Sequence, residues 1–247
     1  MPKIRVITLD WGDTLAANVG MPYLTTQRRA FSNLAGDLRS LGGTVSDGFT
    51  QRCLDELAVQ WKTSIDPTRN PEHKEFDFAA MLAEWATGSG VTLAAALPAI
   101  NRCTDTLTDT VVVFAETAPA LRRLREQGLR LGILSHVPWP GDACRRWFAR
   151  HGLAGLVDFY SLSSEIGWIK PNPRHFQHAV TLAGCSPGEI LHVGDHPDRD
   201  IAGARLAGLR TCLRHTEGIY QSIAQADAEI LHLSELPGVV ERLNHLP

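Results

Sequence analysis

The sequence has few cysteines and none of the spacing that would make them a framework. Cys53, Cys103, Cys144, Cys185 and Cys212 are odd in number, scattered and without a CxxC pair. This argues against a zinc site or a disulfide scaffold and fits free thiols packed as small apolar side chains in a reducing compartment. Charge of one sign is also missing. The 24 Lys plus Arg against 27 Asp plus Glu leave a net charge of -3, so the polybasic footprint of a nucleic-acid partner is absent. No apolar run approaches the roughly 18 residues of a membrane span. The opening MPKIRVITLDWGD runs into a charged, strand-like segment without the pattern of a signal peptide. The expectation is a cytoplasmic protein with no membrane or nucleic-acid partner. Repeats, low-complexity tracts and a P-loop are lacking. Gly88-Ser89-Gly90 has neither the third glycine nor the preceding strand of a dinucleotide loop and reads as a helix break.

What remains is ordinary globular composition, 44% hydrophobic and 21% charged over 247 residues, long enough to bury a sizeable core. At about 150 residues per domain the length suggests one domain with an insertion, or two small ones. Ile4–Leu9 reads as a short buried strand that ends in Asp10-Trp11-Gly12-Asp13-Thr14. From 18 to 109 leucine, alanine and charged residues recur at helical spacing, as in Gln27–Leu41 and Gln51–Trp61. A regular alternation then follows. Strands are predicted at Leu129–Leu134, Phe159–Leu162, Ile190–Val193, Arg210–Leu213 and Ile230–Leu233. Helices are predicted at Pro119–Gln127, Pro173–Ala183, Ile201–Ala207 and Ser234–Leu243.

Alternating strands and helices imply an α/β fold, a doubly wound parallel sheet with right-handed crossovers. Ligands bind such sheets at the carboxyl ends of the strands. Asp10, Ser135 and Asp195 each directly follow a predicted strand, so three strands deliver polar groups to one edge. The helical block, leaving after the first strand, would hang over that edge.

A carboxylate such as Asp10 in this place can be a nucleophile, a metal ligand or a turn cap. Asp195 and Asp200, five residues apart, add two more carboxylates. If they meet Asp10, a cation must offset their repulsion, and hard oxygen ligands suit magnesium. A phosphate substrate would also need positive charge and donors. Lys170, stiffened by Pro171 and Pro173, and the hydroxyl of Ser135 supply them. Attack by Asp10 would then give an aspartyl-phosphate.

The segments LDWGDTL, LGILSH, IKPNP and HVGDHPDRDIAGA resemble, in order, the four motifs of the haloacid dehalogenase (HAD) superfamily. The resemblance covers Ile4 to about Leu15 and Val111 to about Leu213. It implies a Rossmann-like core formed by 1–17 and 110–247, with a helical cap at 18–109. It implies Asp10 as nucleophile, Ser135 as phosphate-binding hydroxyl and Lys170 as the lysine that steadies both. Asp195 and Asp200 match the acidic metal-binding motif, which together with Asp10 and the Gly12 carbonyl would hold Mg2+. Trp11, Thr14 and His136 are the candidate substrate contacts. The expected activity is phosphatase action on a small phosphorylated metabolite.

One position departs from that pattern. Phosphatases of this superfamily usually carry a second Asp two residues after the nucleophile, as general acid and base; here it is Gly12. Such a group typically contributes about 10²–10⁴-fold in rate. Asp13 could substitute if the glycine lets the turn bend differently. Alternatively the substrate has a good leaving group, as in an acyl phosphate or a phosphonate, although the phosphonate-cleaving relatives recruit a cap lysine and Lys62 and Lys74 are the only ones here. A carbon–halogen hydrolase is a third possibility, and a non-catalytic ligand-binding homologue a fourth. Of the remaining histidines, His192 reads as a satisfied core residue, and His196, next to Asp195, is a candidate for the site mouth without a pattern that favours function over a plain turn residue.

Overall fold

The computed structural model describes residues 2–18, 23–216 and 226–245. Along the chain the strands are β1 (Val6–Leu9), β2 (Ala16–Asn18), β3 (Val111–Val113), β4 (Arg130–Ser135), β5 (Phe159–Leu162), β6 (Ile190–Gly194), β7 (Arg210–Arg214) and β8 (Ala228–Ile230). Six of them form one sheet in the order β5-β4-β1-β6-β7-β8, and each pairing is parallel. All four residues of β1 are buried, as a strand covered by helices on both faces requires. β1 lies between β4 and β6, which brings Asp10, Ser135 and Asp195 to neighbouring strand ends.

Helices α1 (Tyr23–Ser40), α2 (Phe49–Ile65), α3 (Phe78–Thr87) and α4 (Leu93–Thr108) fill the segment between β2 and β3. Those two strands pair antiparallel with each other, not with the main sheet. The insertion thus leaves and returns through a two-stranded ribbon, while residues 19–22 at its start lie outside the described residues. Its own apolar stripe, including Phe31, Leu34, Leu38, Leu57 and Trp85, is buried and continuous with the core cluster. Asp77 caps α3 by accepting from the Ala80 amide at 2.8 Å, which satisfies a donor the helix leaves unpaired.

The remaining helices are α5 (Thr117–Glu126), α6 (Gly141–Arg150), α7 (Ser163–Ile166), α8 (Pro173–Ala183), α9 (Gly203–Leu206) and α10 (Leu236–Asn244). α8 begins at Asn172, which accepts from the Arg174 amide, and ends at left-handed Gly184. Pro138-Trp139-Pro140 leads into α6, whose Ala143, Cys144, Trp147 and Phe148 turn inward. One expectation shifts. The last strand ends at Ile230 instead of spanning 230–233. Leu231 is exposed, and the amides of Leu231 and His232 donate to Glu235 Oε1. That local bonding starts a turn where the apolar residues alone suggested a strand. Among the described residues no helix is long and apolar enough to cross a membrane.

Candidate active site

Residues 10, 170, 195 and 200 meet at the carboxyl end of the sheet. The Lys170 ammonium lies 2.9 Å from Asp10 Oδ1. It also pairs with Asp200 Oδ1 and donates to the Leu134 carbonyl at 3.3 Å. Burial disfavours its charge, but Asp10 and Asp200 outweigh that and raise its affinity for the proton. Asp200 is engaged on both oxygens. Oδ1 meets Lys170 and, at 3.1 Å, His192 Nε2, while Oδ2 accepts from the His196 amide at 3.0 Å. Burial would raise this carboxyl, yet Lys170 and His192 hold it well below the usual range.

His192 is a satisfied core residue that bridges Thr8 Oγ1, at 3.0 Å from its Nδ1, to Asp200. Its ring therefore fixes the orientation of Asp200. Gly194 allows the close packing. A Cβ there would come within 2.3 Å of Asp200 Cγ, so only glycine fits before Asp195. Residues 197–202 form a π-helical turn, a distortion common at functional sites.

Asp195 is the carboxylate without such support. Its pKa rises to about 8, through burial and then the charges of Asp200 and Asp10. Thr14 Oγ1 donates to it at 3.4 Å. One ligand atom each from Asp10, Asp195 and Asp200 lies within 4.8 Å of the others, so hard oxygen donors converge on a point where negative charge is not fully offset. That arrangement suits a small divalent cation.

Two adjoining cavities open here. One, of about 220 Å³, is lined by Asp10, Ser135, Lys170, Asp195, His196 and Arg199, among others. The second, of about 370 Å³, is walled by Trp11, Trp61, Val111, Val137 and Trp139. Gly12, Asp13, Trp61, Ser135 and His136 border both. Asp13 adopts a left-handed backbone, φ 53°, which Asp tolerates better than most residues. Burial and the charge of Asp10 raise its carboxyl, against Arg214 and Arg199.

The sequence-predicted substrate contacts separate. His136 borders both cavities and stacks on Trp61 with ring centroids 5.3 Å apart. Trp11 lines the apolar cavity but packs mainly on Trp147 and Phe148 of α6, at 4.8 and 5.9 Å. Thr14 is buried against Asp195 and lines neither cavity, so it supports the acidic cluster and is not placed to touch substrate.

Three residues that sequence reasoning passed over also build the site. Glu75, from the insertion, has its carboxylate buried 3.1 Å from His136 Nε2 and accepts from Ser163 Oγ at 2.6 Å. Arg214, at the end of β7, donates to the Thr14 carbonyl and to Glu116 at 2.9 Å, holding the turn after β1. Arg199 lines the acidic cavity. Glu75 and Arg214 have no local pattern that would single them out, whereas Arg199 lies directly before Asp200 in the acidic segment. Neither lysine of the insertion lines a cavity. Lys62 is exposed, and Lys74 pairs with Glu72 at 2.5 Å.

A parallel sheet with a helical insertion after its first strand, and this acidic cluster at its carboxyl edge, defines a hydrolase class. The chain belongs to the haloacid dehalogenase-like hydrolase family, which it matches over residues 4–208. Among curated proteins it is 36% identical to the glyceraldehyde 3-phosphate phosphatase of Methanopyrus kandleri over 138 residues, 53% of this chain and 57% of that one. It is 38% identical to the phosphoserine phosphatase of Thermus thermophilus over 99 residues, 40% of this chain and 39% of that one. The matched part thus spans about half the length of these relatives or less. Solved structures align over nearly the whole chain. A 2-haloacid dehalogenase from Pseudomonas syringae pv. Tomato has a TM-score of 0.69 at 25% identity, covering 97% of this chain and 99% of that one. A HAD phosphatase from Thermococcus onnurineus has a TM-score of 0.64 at 22% identity, covering 96% and 98%.

Proposed function

We propose that this hydrolase is a magnesium-dependent phosphatase acting on a small phosphorylated substrate through an aspartyl-phosphate on Asp10. The observation that carries the reading is the meeting of Asp10 with Lys170 at 2.9 Å, inside one cluster with Asp195 and Asp200. The phosphatase relatives support it. Residues 1–17 and 110–247 act as the core, and 18–109 as the cap that closes over the cavities.

Asp10, Asp195 and the Gly12 carbonyl would hold Mg2+, with Asp200 fixed behind them. When bound, the ion supplies charge compensation for the phosphoryl oxygens. Lys170 adds its own positive charge and orients Asp10 by one oxygen, which leaves the other for attack. The Ser135 hydroxyl donates to a phosphoryl oxygen. Asp10 forms a bond to phosphorus as the bond to the leaving oxygen breaks; water then hydrolyses the acyl phosphate and restores the carboxylate. Asp13, bordering both cavities, carries the proton in that second step.

The test is phosphate release from an ester panel, comparing wild type, Asp10→Asn and chelator-treated protein. The expected result is at least ~10³-fold loss in each arm. Turnover indifferent to both would overturn the reading. Carbon–halogen hydrolysis is the second reading, favoured by the full-length likeness to a 2-haloacid dehalogenase and by Gly12. Halide release from a 2-haloacid, without phosphate release from esters, would establish it instead. A phosphonate substrate loses support because no insertion lysine reaches the cavities.

A further inference from the structure

The cavity beside the acidic cluster is built for a particular leaving group. Its walls are Trp11, Trp61, Trp139, Val111 and Val137, and its described lining includes no lysine or arginine. A leaving group that carries its own carboxylate would find no lysine or arginine there, and the polar residues of the lining are Asp13, Tyr23, Ser135 and His136. A flat apolar ring would meet aromatic side chains, which bury large area and favour offset or edge contacts.

The border between the cavities points the same way. A Cβ on Gly12 would meet nothing within 4 Å, so packing does not demand glycine at that position. Gly12 borders both cavities and brings no proton donor to them. With Asp13 taking the proton of the hydrolytic water in the second step, the leaving oxygen departs as an anion. A phenolate suits this, since a phenol titrates near pKa about 10. An aliphatic alkoxide does not, being about as basic as hydroxide, whose conjugate acid water has a pKa of about 15.7.

We infer that the substrates are aryl phosphate monoesters, with the ring seated between Trp61 and Trp139 and the phosphoryl group on Asp10, Ser135 and Lys170. This rests on the phosphatase reading above. Asp10 forms an oxygen–phosphorus bond, the bond from phosphorus to the aryl oxygen breaks, and its electron pair leaves on the phenolate. Solvent protonates the phenolate. A second water cleaves the aspartyl-phosphate, so that ester and water give phenol and inorganic phosphate.

The experiment compares 1-naphthyl phosphate with glycerol 3-phosphate, with Mg2+ present. The expected kcat/KM ratio favours the aryl ester by at least ~10²-fold. Trp61→Ala and Trp139→Ala, each checked for folding by circular dichroism, should raise KM for naphthyl phosphate at least ~10-fold. The inhibition constant of inorganic phosphate should shift less than about twofold. Gly12→Asp should raise kcat on glycerol 3-phosphate at least ~10-fold and so narrow the ratio. Equal or better turnover of the alkyl ester by wild type would overturn this inference alone, and would mean that Asp13 protonates the leaving group. Equal KM increases on both esters in the tryptophan variants would also overturn it. Failure to hydrolyse either ester would overturn the phosphatase reading itself.

Discussion

The carboxylate of Glu75 lies 3.1 Å from Nε2 of His136, joining the helical insertion to the residue next to Ser135. His136 Nε2 makes no hydrogen bond there, while Ser163 Oγ donates to the same oxygen at 2.6 Å. Backbone bonds flank the contact: the Glu75 amide donates to the Gly167 carbonyl at 3.0 Å, and the Ile169 amide to the His73 carbonyl at 2.8 Å. The insertion is therefore clasped to the loop that presents Lys170.

Removing that carboxylate should loosen the clasp. Glu75→Ala removes the acceptor of the 2.6 Å bond from Ser163 Oγ, which keeps the Val137 carbonyl at 3.2 Å, and the buried carboxylate beside His136, at a cost of about 1–3 kcal/mol. For a chain of this size that is a Tm drop of roughly 2–12 °C. Glu75→Gln keeps an acceptor for Ser163 and should recover most of it. Thermal melts of the three proteins decide, and an alanine variant that melts with wild type would refute the clasp.

The acidic cluster makes a paired prediction. In metal-free protein Asp195→Asn should be at least as stable as wild type, because it removes a buried carboxyl whose ionisation burial, Asp200 and Asp10 oppose. It should also lose the stabilisation that the proposed Mg2+ site predicts, about 2.7 kcal/mol when free metal is 100 times Kd. Melting curves in Mg2+ and in chelator give both quantities; a variant that still responds fully to Mg2+ would remove Asp195 from the metal site.

His175 sets a pH dependence of stability. Its Nε2 contacts the Ser161 carbonyl at 3.0 Å, Nδ1 has no partner, and burial depresses its pKa to about 3. Unfolded, it titrates near 6.5. Between those values the unfolded chain binds more protons, so this contribution is complete above pH 6.5 and declines as pH falls toward 3. Wild type should lose about 2 kcal/mol more than His175→Asn between pH 7 and pH 5. Denaturant titrations at the two pH values measure the difference, and equal losses would contradict it.

Gly194 and Gly12 should respond differently to the same methyl group. Gly194→Ala forces a Cβ to within 2.3 Å of Asp200 Cγ, which costs about 1–3 kcal/mol and displaces the residue that holds Lys170. Gly12→Ala meets nothing within 4 Å and should leave stability within about 0.5 kcal/mol. Denaturation midpoints distinguish them; a tolerated Gly194→Ala would mean that the turn can shift.

Much of this was legible in the sequence. The buried run before Asp10, the strand before Ser135 and the strand ending at Gly194-Asp195 each carry a local signature. Parallel topology then places their ends together. The helical character of 18–109 was equally plain in its periodicity. Its ribbon of β2 and β3 was not, since three-residue strands have no period to read. Glu75 was invisible for another reason. It is a charged residue in a loop, and its burial depends on a serine 88 positions away. Arg214 bonds Thr14 across 200 positions, and nothing near either residue announces the other.

The strand that delivers Asp10 is hydrogen-bonded on both sides, to β4 and to β6, while β5 and β8 form the rims of the sheet. Fraying begins at rims, where amides are least protected. Asp10, the proposed nucleophile, therefore sits at the end of the segment that should exchange its amide protons last, and inactivation by denaturant should coincide with global collapse of the molecule instead of preceding it.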